Sequence, residues 1–533
     1  MNIGFISEAR AQYDRSAGWT RIAIWLVLLS YIPILYMLVN RTVADFDIDG
    51  CSYQHLNMIA RAAEGLPIYA PVDVGHQGIS YTPLYWWICG FVQNILGPSI
   101  VWPRLVSLLS SLVYLTVIAL FVWRNTERSL LLTLAAPGMV LTTNYALEMQ
   151  PWINELNVNP VHMAFAICTF FVLTGPKTVA RAVVASILMW LCVLGKQTGL
   201  AYVAAIAFLL LLTSRKQAWV FIGTCGVLLI LSFLYLNVTS NGEFYRWTVL
   251  ANRAPPWMIN RLWQEVFQME LFGAFGIMAV MALIPVLQSK SAQELWKTVL
   301  TPEYVMCGAG IVVVSISQPK MGSGGIHAMI AFAGLAVCGS MGIHALSKLI
   351  QGPLGQRIAA WLVTAQLVIM LVPALNNYGP NLIDQYDREK YNQVSSVFQS
   401  GRTCMFGFHY LSKVFGQPWS GVPGDEFTSW VDGKRDYSGV PDRLLAPFRN
   451  QEFDYVIMTP YVDNADPAVK TIIENYKPIN VIPRHPRGPR GGNMRYEQYI
   501  LRAKRLLPEE PVAPAGQQGA ASGPSIGWRP PTP

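Results

Sequence analysis

The stretch ADFDIDGCSYQHLNMIARAAEGLPIY, residues 44–69, follows directly on an apolar segment long enough to cross a membrane. Three carboxylates, Asp45, Asp47 and Asp49, lie where the chain leaves that segment, and a helical pattern that ends at Gly65 comes next. Charged side chains at a membrane edge cost free energy, so this acidic cluster indicates a solvated hinge, a cation site or a catalytic base. The rest of the chain decides among these interpretations.

Apolar residues recur in long, nearly uncharged blocks along most of the chain. Of the 533 residues, 53% are hydrophobic and 13% are charged. A membrane span needs about 20 apolar residues, and about 17 at the least. Eleven blocks approach or exceed this length: 22–39, 104–123, 129–146, 160–174, 182–195, 199–213, 218–236, 266–287, 304–318, 326–346 and 358–375. The sequence therefore predicts an all-α polytopic membrane protein with about eleven transmembrane helices.

The segment PLYWWICGFVQNILG, residues 83–97, is apolar enough to suggest a further span. The polar residues 1–21 contain three arginines, which predicts a cytoplasmic N-terminus before an uncleaved first helix. If 83–97 does not cross, the cytoplasmic side holds thirteen lysines and arginines, and the outer loops that connect the apolar blocks hold seven. We therefore expect a juxtamembrane helix at 83–97, within a first outer loop at 40–103.

The residues after 376 differ in composition from the apolar blocks. Short β-like runs between turn residues predict a small extracytoplasmic α/β domain at 376–507. Its expected elements are strands within 453–460, 476–483 and 494–504 and a helix at 466–476. The Pro-, Gly- and Ala-rich tail 508–533 is expected to be disordered.

Composition argues against several classes of protein. The net charge of +8 does not indicate a nucleic-acid partner, because topology explains the basic loops and no basic stripe is interleaved with aromatic residues. The eight cysteines are scattered without CxxC spacing, and no His/Cys/Asp cluster has the spacing of metal ligands. Cys51 and Cys404 alone are expected outside the bundle; one disulfide between them is compatible with the sequence, but no pattern in the sequence supports it.

The first outer loop resembles that of the GT-C glycosyltransferases of the family 39 type. The resemblance rests on Asp49, Tyr53 four residues later, the helix that ends at Gly65, and the Pro83–Leu84 pair that opens a juxtamembrane helix. RLVSLLSSLVYL (104–115), LGKQTGLAYVAA (194–205) and PKMGSGGIHAMIAF (319–332) follow in the order of the family's elements. The resemblance implies a catalytic domain at 22–375 that transfers sugars from polyprenyl-phosphate donors to an extracytoplasmic glycan, lipid or cell-wall acceptor.

The same resemblance implies roles for residues of the first two outer loops. Asp49 is the expected catalytic base, and Asp45 and Asp47 are expected to assist it or to be acidic residues of a hinge. Tyr53 and Tyr81 are expected to stack on sugar or else to be membrane-interface tyrosines without a function. His55 is expected to contact a substrate or else to be a surface histidine. In PWINELNVNPVHMAF (151–165), Asn159 stands where relatives carry a second aspartate, and Glu155 or Glu148 is the expected substitute. A divalent cation is therefore compatible with the site but not required, and no metal ligand is assigned.

The lipid phosphate of the donor needs cations as partners. Relatives often carry Lys or His where Tyr81 and Thr82 stand, so the cation in this chain must come from another position. Lys196, followed by Gln197 in the Lys-Gln-Thr element, is the strongest candidate, with snorkelling to lipid headgroups as the alternative. Lys320 beside GSGG is expected to bind the phosphate or to lie in a flexible turn. Arg253 and Arg261 lie in a long outer loop that resembles a substrate lid.

A transporter or lipid flippase is the competing hypothesis. Transporters place ionisable residues and helix breaks near the bilayer midplane. Here the charged residues gather at helix ends, which favours chemistry at the membrane surface. A non-catalytic assembly subunit is a further alternative, because Asn159 replaces an acid. The Lys-Gln-Thr element resembles that of bacterial members, so a bacterial inner membrane is the expected location.

Overall fold

The structure, a computed structural model, covers most of the bundle and part of the C-terminal region. It describes residues 8, 11–14, 18–44, 52–71, 80–146, 157–250, 259–264, 266, 273–317, 325–376, 382–405, 429–431, 434–436, 440, 442–458, 466–484 and 498–507. The acidic residues 45–50 and the segment 508–533 lie outside these ranges.

Helices make up most of the described chain. They are α1 Gly18–Thr42, α2 Ser52–Ala63, α3 Leu84–Leu96, α4 Val101–Asn125, α5 Leu130–Ala146, α6 Asn159–Leu173, α7 Val179–Gly195, α8 Gly199–Thr213, α9 Arg215–Thr239, α10 Glu243–Tyr245, α11 Ile259–Arg261, α12 Phe275–Ala282, α13 Ile284–Leu287, α14 Ala292–Val299, α15 Pro302–Ser317, α16 Met329–Ile350, α17 Gly352–Asn376, α18 Gln385–Ser400, α19 Asp442–Arg449 and α20 Pro467–Asn475. A π-helical turn, Arg246–Leu250, continues α10, and 3-10 turns lie at Gly325–Ala328 and Lys504–Leu506.

Every one of the eleven predicted apolar blocks contains a helix. Within the described residues, α1, α4, α9, α16 and α17 are long and apolar enough to cross a membrane, and α14 and α15 meet at a 70° bend. Shorter apolar helices, α5 to α8 and α12 with α13, fill the remaining blocks. The prediction of an all-α polytopic membrane protein is confirmed.

The bundle core is centred on α16, which packs against α12, α15, α5 and α17. Close approach depends on glycine at the crossing with α15. A Cβ atom on Gly334 would lie 2.3 Å from Cys307 Cα, and one on Gly310 would lie 2.4 Å from the backbone nitrogen of Ala331. The absence of side chains at these two positions therefore sets the distance between α15 and α16.

The helices α2 and α3 form a second, smaller core with the ends of α6, α7 and α9. Buried members of this core include Met58, Ile59, Tyr85 and Trp86. The 13 residues of α3 extend over about 20 Å, which is shorter than a hydrocarbon layer of about 30 Å. The segment predicted as a juxtamembrane helix thus contains a helix shorter than the hydrocarbon layer.

The C-terminal region carries a mixed four-stranded sheet in the order β1-β4-β6-β5. The strands are β1 Thr403–Met405, β2 Ser429–Val431, β3 Lys434–Asp436, β4 Tyr455–Met458, β5 Tyr476–Ile482 and β6 Gln498–Ala503, with β2 and β3 in a separate hairpin. β1 runs parallel to β4, whereas β4–β6 and β5–β6 are antiparallel. β4, β5, β6 and α20 lie within the predicted ranges; α18, α19 and β1–β3 were not predicted. Cys404 is a buried free thiol of this sheet.

Candidate functional site

Lys196 lies in the short turn between α7 and α8, at the end of the bundle where residue 44 and the juxtamembrane helices also lie. The helix α7 ends at Gly195, and Lys196 has extended backbone with φ −161° and ψ 134°. Its N–H still donates to the carbonyl oxygen of Cys192 at 3.0 Å. Nearby, His162 lies 3.0 Å from the same carbonyl through Nδ1, and the hydroxyl of Thr198 lies 3.3 Å from its Nε2. The turn is therefore held against α6 on both sides of Lys196.

The Lys196 side chain points into the protein. It is 3% exposed, which contradicts the snorkelling alternative. Its Nζ donates to Asn159 Oδ1 at 2.8 Å and lies 5.1 Å from the centre of the Tyr81 ring. Burial lowers the pKa of this ammonium to about 7. Among the described residues, no carboxylate pairs with it.

Asn159 is the first residue of α6 and is buried together with its neighbour Asn157. The Oδ1 atom of Asn157 accepts the Asn159 backbone N–H at 3.0 Å and also accepts from Asn159 Nδ2. With its amide NH₂ group committed to Asn157, Asn159 presents Oδ1 to the Lys196 ammonium. The structure thus brings together Asn159 and Lys196, which are 37 positions apart in the sequence.

His55 lies on the buried face of α2 and is 2% exposed, so the alternative of a surface histidine is wrong. It is buried because α2 packs on α3, where Trp86 Nε1 donates to His55 Nδ1 at 3.0 Å. A neutral imidazole in this arrangement carries its proton on Nε2. Burial first, and then the charge of Lys196, lowers the pKa of His55 to about 3. The ring stacks on Tyr81 with centroids 6.0 Å apart.

Gln197 joins the Lys196 turn to two other segments. Its Nε2 donates to the carbonyl oxygen of Ser80 at 2.5 Å, and the carbonyl oxygen of Thr248 is 3.4 Å away. Its Oε1 is buried and has no hydrogen-bond partner within the described ranges. A buried acceptor without a donor costs free energy, so this oxygen is available to a ligand donor.

Two buried arginines were missed as site candidates by the sequence interpretation. Arg41, in the last turn of α1, is 3% exposed, and Arg104, in the first turn of α4, is 4% exposed. Arg104 donates from a guanidinium nitrogen to the carbonyl oxygen of Ala44 at 2.7 Å, directly before the acidic stretch. A lone arginine opening an apolar block was the signal that could have identified Arg104.

The side chains of the remaining predicted site residues lie outside the described part of the chain. Five lie outside the described ranges: Asp47, Asp49, Glu155, Arg253 and Lys320. Tyr53 and Arg261 belong to α2 and α11, but their side chains fall outside the described part of the chain.

The described residues do not fit a divalent cation at Asn159. In the parts of the chain that the structure describes, no three His, Cys, Asp or Glu side chains gather to hold a metal ion. The amide oxygen of Asn159 already accepts from an ammonium, whereas divalent cations prefer carboxylate and water oxygens that carry no competing cation.

An open groove of about 320 Å³ lies between α2, α3 and the end of α9. Its lining includes Tyr69, Trp87, Tyr235 and Ser240. Tyr69 also donates from its hydroxyl to the carbonyl oxygen of Tyr81 at 2.7 Å, which connects the groove wall to the ring beneath Lys196. The volume lies at the lower end of the range of about 300–1,000 Å³ found for small-molecule sites.

The bundle with its juxtamembrane helices and C-terminal sheet has the GT-C fold, and the chain is an integral membrane protein. Its structure is similar to ArnT from Cupriavidus metallidurans in the apo state, with a TM-score of 0.56 and 12% identity over 90% of this chain and 97% of that one. ArnT bound to undecaprenyl phosphate matches with a TM-score of 0.55 and 10% identity, over 89% of this chain and 98% of that one. The archaeal oligosaccharyltransferase AglB from Archaeoglobus fulgidus, in complex with an inhibitory peptide and a dolichol-phosphate, matches with a TM-score of 0.54 and 10% identity, over 92% and 75% of the two chains. No family model matches the sequence, and no curated protein is similar to it in sequence.

Proposed function

We propose that this chain is an inverting glycosyltransferase that moves a sugar from a polyprenyl-phosphate donor to a glycan, lipid or cell-wall acceptor. The observation that carries the proposal is the buried Lys196 ammonium, which lies 2.8 Å from a neutral amide and pairs with no carboxylate of the described residues. A buried cation without a counter-charge suits an anionic ligand. The fold supports a lipid phosphate as that anion, because ArnT has been solved with undecaprenyl phosphate bound.

The reaction needs a base for the acceptor and a cation for the leaving group. Glycosyl transfer passes through a transition state that resembles an oxocarbenium ion. Asp49 takes the proton of the acceptor hydroxyl while the oxygen of that hydroxyl bonds to the anomeric carbon. On the opposite face the bond from that carbon to the phosphate oxygen breaks, and the Lys196 ammonium stabilises the negative charge that develops on the phosphate. His55 stays neutral and offers Nε2–H as a hydrogen-bond donor.

The other predicted residues keep their proposed roles around this centre. Asp47 and Glu155 add negative charge near the acceptor. Tyr53 and Tyr81 contact sugar, and Gln197 Oε1 accepts from a substrate hydroxyl. The remaining cations are proposed to contact the donor phosphate: Arg253, Arg261 and Lys320. The distribution of basic loops supports a site on the extracytoplasmic face of a bacterial inner membrane.

Donor turnover by purified protein in nanodiscs tests the proposal. A panel of polyprenyl-phosphate sugars is supplied to the wild type, Asp49→Asn, Asp45→Asn and Asp47→Asn, and released polyprenyl phosphate is measured. We expect wild-type turnover with one donor and a loss of at least about hundredfold in Asp49→Asn, the scale of a missing general base. Asp45→Asn removes the same charge from the same loop and should lose much less. Asp47→Asn, at a residue proposed to assist the base, should lose an intermediate amount.

Each outcome separates the hypotheses. Near-normal turnover by Asp49→Asn would contradict the assignment of the base but not the activity. Tight binding of polyprenyl phosphate by wild type and Asp49→Asn alike, without turnover of any donor, would favour the lipid flippase.

A further inference from the structure

The Lys196 ammonium is held by neutral groups alone within the described residues. Its one hydrogen bond there goes to Asn159 Oδ1, and its other polar neighbour is the face of the Tyr81 ring. Buried ammonium groups are usually paired with carboxylates, because removing an unpaired charge from water is costly. An amide and a ring stabilise the ammonium through dipole and quadrupole but leave its net charge intact. The site therefore contains a cation whose charge no described side chain neutralises.

The amide of Asn159 has one orientation that satisfies its neighbours. Asn157 Oδ1 accepts from both Asn159 Nδ2 and the Asn159 backbone N–H. A flipped amide would place NH₂ against the ammonium of Lys196 and oxygen against oxygen at Asn157. Because Asn159 is also the first residue of α6, its backbone is fixed by the helix. Asn157 thus fixes the orientation of the Asn159 amide, and the neutral Oδ1 of Asn159 holds the ammonium.

We propose that Asn159 is a positioning and specificity-determining residue, which fixes the Lys196 ammonium without neutralising it so that its whole charge is available to an anionic lipid phosphate. The inference rests on the proposed function and names the residue that makes Lys196 effective. An aspartate has nearly the same shape, but at this position it would form an ion pair with Lys196 and repel the phosphate. The neutrality of Asn159, rather than its size, is the property that matters.

The burial of the ammonium supports this role. Burial lowers the pKa of Lys196 to about 7, so without a bound anion the charged and neutral forms are about equally populated at neutral pH. A bound phosphate would favour the charged form, whereas an aspartate at position 159 would do so before any ligand arrives.

Binding of undecaprenyl phosphate to the protein in phosphatidylcholine nanodiscs tests the inference. The wild type, Asn159→Asp, Asn159→Ser and Asn237→Asp are compared in EDTA and in excess Mn²⁺. We expect Asn159→Asp to lose at least about tenfold in affinity and Asn159→Ser, which keeps a neutral oxygen, to lose less. Asn237→Asp adds the same charge at the same end of the bundle while retaining its bond from the Tyr245 N–H, and should bind within about twofold of the wild type.

A ligand-free measurement accompanies the binding assay. Asn159→Asp pairs the buried ammonium but replaces the Nδ2 donor to Asn157 Oδ1 by a carboxylate oxygen, so its melting temperature is compared with that of Asn159→Ser, which also lacks that donor. An Asn159→Asp that melts below Asn159→Ser would overturn the inference. Three binding results would overturn it as well. Asn159→Asp could bind as tightly as the wild type, the Asp and Ser variants could lose affinity equally, or Asn159→Asp could bind more tightly than the wild type in Mn²⁺. A wild type that binds no undecaprenyl phosphate would overturn the proposed function together with this inference, whereas the other results leave that function intact.

Discussion

Lys196 combines a cost to the fold with a proposed gain for ligand binding. The ammonium is 3% exposed, and burial lowers its pKa from 10.5 to about 7. In the unfolded chain the same group stays protonated up to about pH 10.4. Between these two values the unfolded state binds more protons than the folded state, so the free energy of unfolding rises with pH. Below about pH 7 both states are protonated and the folded state carries the full cost of a buried charge.

Replacing this lysine by methionine should therefore increase stability while it removes binding. Lys196→Met keeps an apolar stem of similar length, and we expect its melting temperature to exceed that of the wild type by several degrees at about pH 6 and by little at about pH 10. The same variant should lose affinity for undecaprenyl phosphate. Thermal melts in nanodiscs at both pH values measure the first effect. Lys216→Met, which removes an exposed lysine, is the matched control and should melt like the wild type at both pH values. A Lys196→Met protein that melts below the wild type at the lower pH would contradict the buried-charge argument.

At the scale of elements, the crossing of α15 and α16 depends on a missing side chain. A Cβ atom at Gly334 would lie 2.3 Å from Cys307 Cα and 2.6 Å from Cys307 Cβ. At these distances the backbone of one helix would have to move. Gly308 also lies on α15, but a Cβ atom there would meet nothing within 4 Å. The two glycines therefore separate the effect of packing from the effect of helix propensity.

Gly334→Ala should destabilise the bundle, and Gly308→Ala should not. The first substitution forces α15 and α16 apart, at a cost of about 1–3 kcal/mol for overpacking. The second adds a good helix former to an open position and should be neutral or stabilising by up to about 1 kcal/mol. Melting temperatures of the two variants, measured side by side, give the comparison. Equal melting temperatures would show that the crossing is not closely packed.

The elements that could be predicted from the sequence are those fixed by local patterns. Hydrophobic length alone identified the eleven apolar blocks, each of which contains a helix, and the distribution of charges predicted that α3 does not cross. The pairing of Lys196 with Asn159 could not be predicted, because tertiary packing brings the two residues together across the ends of α6 and α7. The burial of His55 was missed for the same reason, since its bond to Trp86 depends on how α2 lies on α3. In the C-terminal region, α18 and α19 carry too few apolar residues to stand out from loops.

At the scale of the whole molecule, the C-terminal domain is attached to the bundle at two described points. Asn40, near the end of α1, donates to the carbonyl oxygen of Ile383 at 3.2 Å and accepts from the Ile383 N–H at 2.8 Å. Leu444 of α19 is 4% exposed and belongs to the same core as Met58 and Trp86 of the juxtamembrane helices. The second attachment joins the domain to the helices that carry His55 and support Tyr81. The packing of the domain should therefore affect the geometry around Lys196.

Leu444→Asp should loosen this attachment without unfolding the bundle. A carboxylate placed in the apolar core of α2 and α3 must leave it or neutralise, at a cost of several kcal/mol. We expect faster amide hydrogen exchange in α19, α2 and α3, unchanged exchange in α15 and α16, and weaker binding of undecaprenyl phosphate because Tyr81 and His55 lose their support. Ile473→Asp, at a position that is 40% exposed on α20, introduces the same charge in the same domain and should leave all of these unchanged. If Leu444→Asp changed exchange only within α19 while binding remained normal, the domain would be a cover attached to the bundle rather than a part of its binding site.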